Sequence, residues 1–179
     1  MRPAARAYVR SQGGYTLVEV IISIAIASIV MGALTSVIFT SVRVTDVASS
    51  RVEASAQIRN FQFFAYDDFA RSQVQNAGAC TPGSPCTTQP IVLAGSQASN
   101  SSQPVPAPYQ VTYAWDGGSF VDRQVAPAGS TSHAATDVSD FSWYVDSSGP
   151  FPKVVIHLTI TVGTYSESQT LLFYPRLNP

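Results

Sequence analysis

Residues 13–42, GGYTLVEVIISIAIASIVMGALTSVIFTSV, decide how the rest of this sequence is interpreted. From Tyr15 to Val42 every side chain is apolar, small or hydroxylated, with the single exception of the carboxylate of Glu19. A helix crosses a bilayer with about 20 such residues, because each residue adds about 1.5 Å. The stretch therefore predicts a membrane-spanning helix, and a carboxylate at the centre of such a helix is unfavourable by about 2.5–3.5 kcal/mol.

A basic leader, residues 1–14, comes before the apolar stretch and contains no acidic residue. Ordinary secretory signals are cut at small residues after their apolar stretch, whereas here Gly13-Gly14 lies in front of it. A cut between Gly14 and Tyr15 would remove the leader and keep the helix. The positive-inside rule predicts a cytoplasmic leader, with everything after about residue 43 facing outward. The leader holds three basic residues, Arg2, Arg6 and Arg10.

The motif Gly-Gly-Tyr-Thr-Leu-Val-Glu at residues 13–19 resembles the N-terminal signature of type IV prepilins and pseudopilins. The resemblance implies that a membrane prepilin peptidase cuts after Gly14 and that the same enzyme N-methylates Tyr15. It also implies an assembly role for Glu19, which would pair with the new amino terminus of a neighbouring subunit or of its own chain. A buried ammonium and carboxylate are less unfavourable together than apart. The alternative is a chance carboxylate near the membrane interface of a simple anchor.

The sequence departs from that family pattern at two points. Phenylalanine is the usual first mature residue, and Tyr15 stands in its place. Major pilins often carry a helix-breaking proline about twenty residues into the mature chain, whereas here Gly32 is the only flexible point of the stretch.

Composition and charge suit an extracytoplasmic domain on an anchor. The chain has 179 residues, of which only 12% are charged. Removal of the leader leaves seven basic and eleven acidic residues, a side-chain charge of −4. A net-acidic chain without a basic cluster is a poor candidate for nucleic-acid binding, which requires a cationic surface.

The sequence from 43 to 76 predicts that the helix continues into water with one apolar stripe. No proline or glycine interrupts residues 33–77, and Asn76-Ala77-Gly78 is an expected helix end. The aromatic residues of segment 61–69 are interpreted as packing against a sheet rather than as a binding surface. The stripe recurs at three- or four-residue intervals with one gap of seven: Val44, Val47, Ala54, Ile58, Phe61, Ala65 and Phe69.

Two cysteines follow the helix, Cys80 and Cys86, separated by turn-forming residues. In an oxidising compartment they predict a disulfide that closes a short loop. A structural zinc site requires about four ligands, and His133 and His157 are distant in sequence. A redox-active pair is disfavoured because the spacing is not C-x-x-C.

The remainder, residues 77–179, predicts short antiparallel strands, so the fold class is α+β: one long helix, membrane-embedded in its first half (15–42), packed on one sheet. The pilin resemblance implies the same architecture. The polar, proline-rich segment 95–108 predicts a surface loop, as does segment 127–136. The strands are expected at 89–94, 109–115, 119–125, 138–145, 153–162 and 168–174, with a hairpin turn at 116–118.

A looser resemblance concerns the subtype. Residues 64–71 (FAYDDFAR), then 111–118 (VTYAWDGG) and Arg123, are similar to the J-type minor pseudopilins and related minor pilins. Subunits of that type are implied to sit at the filament tip and to initiate assembly. The implied partners are prepilin peptidase, other major and minor pilins or pseudopilins, an inner-membrane assembly platform and membrane lipid. The implied location is the inner membrane and then the pilus or pseudopilus.

Other function classes have less support. The sequence contains no phosphate loop and no nucleophile or metalloprotease motif, so an enzyme is not expected, nor is a cofactor. His157 is interpreted as a half-exposed polar residue on a strand, and the spacing of Asp137, Asp140 and Asp146 is not that of a calcium loop. A pilus-associated binding module, an adhesin or DNA-uptake pilin using loop 95–108 or 126–137, remains the alternative function.

Overall fold

The structure is a computed structural model that describes residues 14–96, 108–127 and 129–175. It contains one helix, α1 (Leu17–Arg71), of 55 residues, and the chain divides into two compact units, one ending at Thr45 and the next beginning at Asp46. The α+β class is confirmed. Eight strands follow the helix: β1 (Ser72–Val74), β2 (Ile91–Ser96), β3 (Pro108–Trp115), β4 (Phe120–Ala126), β5 (Ser130–Thr136), β6 (Val138–Asp146), β7 (Lys153–Val162) and β8 (Tyr165–Phe173).

In the first unit, the helix exposes every described side chain and is long and apolar enough to cross a membrane. Several of its hydroxyl groups donate to carbonyls of the helix itself, as Ser23 Oγ does to the Glu19 carbonyl at 2.8 Å and Thr35 Oγ1 to the Met31 carbonyl at 2.8 Å. Ser28 and Thr40 donate in the same manner. These bonds satisfy polar groups that lipid cannot satisfy, so hydroxylated residues are compatible with a membrane helix.

In the second unit, the rest of α1 buries one face against both sheets. Phe61 is fully buried, and its ring lies 5.6 Å from that of Tyr113 and 6.1 Å from that of Phe141. Phe69 stacks on Phe173 at 4.7 Å. The predicted stripe is thus confirmed from Ala54 onward, whereas Val44 and Val47 are exposed.

The aromatic residues of segment 61–69 divide into buried and exposed ones. Phe61 and Phe69 pack in the core as predicted, and Phe64 is half-buried against it. The interpretation was wrong for Phe63 and Tyr66, which are 75% and 74% exposed. Both side chains lie outside the core stripe of the helix and face solvent.

The strands form two hydrogen-bonded antiparallel sheets rather than the single predicted one. One sheet has the order β1-β2-β3-β4-β5, and the other has β6-β7-β8. The chain passes between them at Asp137, a non-glycine residue with φ of 57°. The Val138 N–H then donates to the Ser119 carbonyl at 3.1 Å, which keeps the start of β6 against the first sheet.

Two local predictions were wrong. The helix ends at Arg71 instead of near Asn76, because Ser72–Val74 adopts an extended conformation and pairs with β2. Segment 130–136 was predicted as loop but forms β5, which pairs with β4 across a bulge at Val121/Asp122. The other predicted strands are confirmed within a few residues. Most of the predicted loop 95–108 lies outside the described residues.

Gly95 sets the spacing between β1 and β2. Ser72 is its partner in the pairing, and a Cβ added at Gly95 would lie 2.7 Å from the Arg71 carbonyl oxygen. That oxygen belongs to the main chain at the helix end, so it cannot move without shifting the start of β1. The close approach explains why a glycine is needed at this position.

We expect Gly95→Ala to lower the free energy of unfolding by about 1–3 kcal/mol, the usual cost of overpacking. Thermal unfolding of the full chain in detergent measures it. Gly78→Ala is the matched control, because nothing lies within 4 Å of a Cβ added there. Equal stability of the two variants would show that the β1–β2 spacing does not depend on Gly95.

Candidate functional site

The predicted processing residues lie at the exposed start of the described chain. Gly14, Tyr15 and Thr16 precede the helix and are not helical. Nothing lies within 4 Å of a Cβ added at Gly14, and Tyr15 is 81% exposed. The Gly14–Tyr15 bond therefore lies in exposed, non-helical chain. The leader arginines lie outside the described residues.

Thr16 caps the helix through Glu19. The Glu19 N–H donates to the Thr16 carbonyl at 3.0 Å and to Thr16 Oγ1 at 3.3 Å. Threonine followed three residues later by glutamate is the spacing of a capping box, and a carboxylate in the first turn also complements the helix dipole. The capping spacing was present in the sequence, but sequence reasoning gave Glu19 an assembly role alone and missed Thr16.

A second polar site is buried between α1 and the five-stranded sheet. Asp68 of α1 is only 1% exposed, and Arg123 of β4 binds it with two nitrogens. Arg123 Nε lies 2.7 Å from Asp68 Oδ2, and Nη2 lies 2.8 Å from Oδ1. Two hydroxyls on β3 complete the set: Tyr109 donates to Oδ1 at 2.8 Å, and Tyr113 donates to Oδ2. A buried carboxylate is stable only with such complete pairing.

The electrostatics of this cluster favour the charged pair. Burial by itself raises the pKa of the Asp68 carboxyl, but hydrogen bonds from Arg123 and the two tyrosines outweigh burial and hold that pKa below its usual value. The bond to Asp68 raises the pKa of Arg123. Burial, followed by the Asp68 contact, raises the pKa of Tyr109 to about 12 and also raises that of Tyr113. All four groups therefore keep one protonation state across the neutral range.

The predicted disulfide is present and joins Cys80 to Cys86. The loop it closes bonds to β6, since Cys86 and Trp143 exchange two main-chain hydrogen bonds of 2.9 Å. The Val145 N–H donates to the Cys80 carbonyl at 3.0 Å. Trp143 Nε1 also donates to the Gln89 carbonyl at 2.8 Å. The bridge thus fixes the segment after β1 to the three-stranded sheet.

The histidines and remaining acids do not converge. His157 is half-exposed, as predicted, and its Nδ1 lies 2.9 Å from the hydroxyl of Thr170. His133 Nδ1 lies 2.7 Å from Asp122 Oδ1, and both are exposed. Asp146 pairs with Lys153 at 3.1 Å. Within the described ranges, no group of three or more His, Cys, Asp or Glu side chains is placed to hold a metal ion.

Comparison with known proteins gives one match. Residues 9–35 match the family model described as the prokaryotic N-terminal methylation motif. No curated protein and no solved structure matches the chain. The matched residues include Gly14, Tyr15 and Glu19, so the motif and the capped helix start coincide.

The Asp68–Arg123 pair yields a stability prediction. Asp68→Ala leaves Arg123 without its anion and should cost about 3–5 kcal/mol of unfolding free energy, the usual penalty for breaking a buried pair. The double variant Asp68→Leu, Arg123→Met removes both charges and should cost less. Asp67→Ala is the matched control, because the neighbouring Asp67–Arg71 pair is exposed and should contribute about 0–1 kcal/mol.

Thermal or denaturant unfolding of the full chain in detergent gives these values. A double variant less stable than Asp68→Ala would contradict the view that the orphaned guanidinium causes the loss. An Asp68→Ala variant as stable as Asp67→Ala would show that the buried pair does not hold the helix to the sheet.

The same pair predicts a pH dependence. The native pKa of Asp68 is lowered, so its contribution to stability is complete above its unfolded value, about 3.9, and is lost as the pH falls through the native value. We expect the difference in melting temperature between the wild type and Asp68→Asn to be largest above about pH 5 and to narrow toward pH 2. A difference that stays constant over that range would contradict the assignment.

Proposed function

We propose that this chain, which carries the type IV pilin-like prepilin signature, is a minor structural subunit of a type IV pilus or type II secretion pseudopilus. In this proposal the chain enters the inner membrane with its leader in the cytoplasm and the unit from Asp46 onward outside the membrane. Prepilin peptidase removes residues 1–14 and methylates the new amino terminus. The processed chain then joins other pilins or pseudopilins on the assembly platform, at or near the filament tip.

The observation that carries the proposal is the helix start. From Tyr15 to Val42, Glu19 is the only ionisable side chain apart from the phenol of Tyr15, and it lies in the first turn of the helix. Among the described residues nothing donates a hydrogen bond to its carboxylate or forms a salt bridge with it. Cleavage at Gly14 creates an ammonium group four residues away in the chain. A carboxylate in lipid is stabilised by such a cation, so Glu19 is suited to bind the amino terminus of a neighbouring subunit.

The minor-subunit assignment is supported by the second unit. The Asp68–Arg123 pair joins two of the segments that resemble J-type minor pseudopilins, residues 64–71 and Arg123, and Tyr113 comes from the third. Residues 64–71 are distant in sequence from the other two segments and meet them in one cluster. The signature points to a structural subunit rather than to an enzyme.

The alternative is a pilus-associated binding module, an adhesin or a DNA-uptake pilin. Such a module would bind its ligand through the predicted loops at 95–108 and 126–137. Most of the second segment is strand β5, and residues 97–107 of the first lie outside the described chain. The acidic balance of the mature chain also disfavours DNA as a ligand.

The assembly role of Glu19 is tested by Glu19→Gln. Glutamine keeps the shape and serves in a capping box, but it carries no charge for the neighbouring ammonium. We expect cleavage at Gly14 to proceed and incorporation into filaments to fall about tenfold or more, which corresponds to roughly 1.4 kcal/mol of lost pairing. N-terminal sequencing reports the cleavage, and quantitative blotting of sheared filaments reports the incorporation.

The matched control is Thr16→Val, which removes the capping hydroxyl and keeps the charge of Glu19. Its incorporation should stay close to that of the wild type. If Glu19→Gln assembles normally while Thr16→Val fails, Glu19 acts through helix capping, and the proposed charge pairing is wrong.

A further inference from the structure

A groove of about 920 Å³ lies in the second unit between α1 and β8. Its helix side carries the two exposed aromatic residues Phe63 and Tyr66. Its strand side is formed by β8 residues 169–173, of which Leu171 and Phe173 pack on the core. Two solvent-facing aromatic side chains that share one groove mark a surface for another molecule, whereas single exposed apolar residues do not.

The strand that borders this groove has an open edge. β8 is nine residues long and pairs with β7 along its whole length. Within the described residues, its main chain forms no hydrogen bond to any element other than β7. Alternate N–H and C=O groups of β8 therefore face away from β7 without a hydrogen-bond partner in the described part of the chain. An open edge of this length is a template for pairing with another extended chain.

The groove also contains a fixed cation with a free donor group. Arg123 binds Asp68 through Nε and Nη2 and stacks over the ring of Phe64 at 5.3 Å. Its Nη1 has no hydrogen-bond partner among the residues that the structure describes. Arg59 lines the same groove and forms no salt bridge within the described chain, whereas Arg71 is paired with Asp67. The lining is thus positively charged in a chain whose mature form is acidic.

We infer that this groove binds an extended segment of another polypeptide, which adds as a strand to β8. Apolar side chains of the segment contact Phe63 and Tyr66, and a carboxylate of the segment accepts hydrogen bonds from Arg123 or Arg59. A helical partner does not satisfy the open edge, because the main-chain groups of a helix are already bonded to one another. An extended chain supplies those groups and places alternate side chains into the groove.

This interface does not depend on the proposed filament role. It uses only residues between Arg59 and Phe173, whereas the filament proposal rests on the helix start. The docked segment is an extended strand of a partner protein. Pairing of β8 with a strand of a second copy is a separate outcome that the test distinguishes.

The test uses the full chain in detergent micelles and a fluorescein-labelled peptide as long as β8, nine residues, of alternating valine and threonine with a central aspartate. Fluorescence polarisation measures binding, and hydrogen exchange measures protection of the β8 amides. A peptide N-methylated at alternate residues is the matched probe, because it keeps the side chains and loses main-chain donors. A third peptide has asparagine in place of the aspartate.

We expect the unmodified peptide to bind and to slow exchange in β8, and the N-methylated peptide to bind at least about tenfold more weakly. The asparagine peptide should bind several-fold more weakly. Phe63→Ser should weaken binding, whereas Phe151→Ser, at an exposed phenylalanine outside the groove, should leave it unchanged.

Three results would overturn the inference. They are equal affinity for the N-methylated and unmodified peptides, no binding of the unmodified peptide up to about 1 mM, and equal losses for Phe63→Ser and Phe151→Ser. Concentration-dependent dimerisation of the full chain, with β8 protected in the absence of peptide, would also overturn it, since the occupant would then be a second copy.

Discussion

A carboxylate that leaves water needs a cation or several hydrogen-bond donors, and helix α1 carries two carboxylates to which this constraint applies. Asp68 is buried in the second unit, where Arg123 and two tyrosine hydroxyls satisfy it. Glu19 lies in the apolar part of the helix, and the described chain provides its carboxylate with no such partner. Asp68 holds the helix to its own sheet, and under the proposed function the carboxylate of Glu19 binds a cationic group outside the fold.

The two parts of the helix differ in the surroundings that suit them. Up to Val42 the helix carries only one charged side chain, Glu19, and several of its hydroxyl groups donate to its own carbonyls, which suits a surrounding of lipid. After Asp46 only one stripe is buried, and it is covered by two sheets. The disulfide loop bonds to β6, and Gly95 allows β2 to approach the end of the helix closely. Three features therefore hold the second unit together around the carboxyl-terminal part of α1: the buried stripe, the disulfide loop and the close approach at Gly95.

The sequence allowed the helix, most strands and the disulfide to be predicted, because each depends on local pattern. Alternation in Val154–Val162 and the hairpin glycines after Trp115 are visible in any short window. Strand β5 was missed because its residues, Ser130–Thr136, are small and polar, and only pairing with β4 makes them extended. The end of α1 was misplaced because the β1 pairing at Gly95 competes with helix continuation, and that contact is distant in sequence.

The buried cluster could be predicted only in part. Residues 64–71 and Arg123 resemble a subfamily, but no local pattern indicates that Asp68 pairs with Arg123. The phase of the predicted stripe does distinguish the two acids, since Asp68, unlike Asp67, follows Phe61 and Ala65 on the core face. The open edge of β8 was not foreseeable either, because the order of strands in a sheet depends on long-range pairing.

The most direct measurement is the mass and N-terminal sequence of the chain recovered from its own cells. The account predicts a product that begins at Tyr15, lacks residues 1–14 and carries one methyl group on its amino terminus. A product that begins at Met1, or one that begins after residue 42 and so lacks the apolar helix, would contradict it.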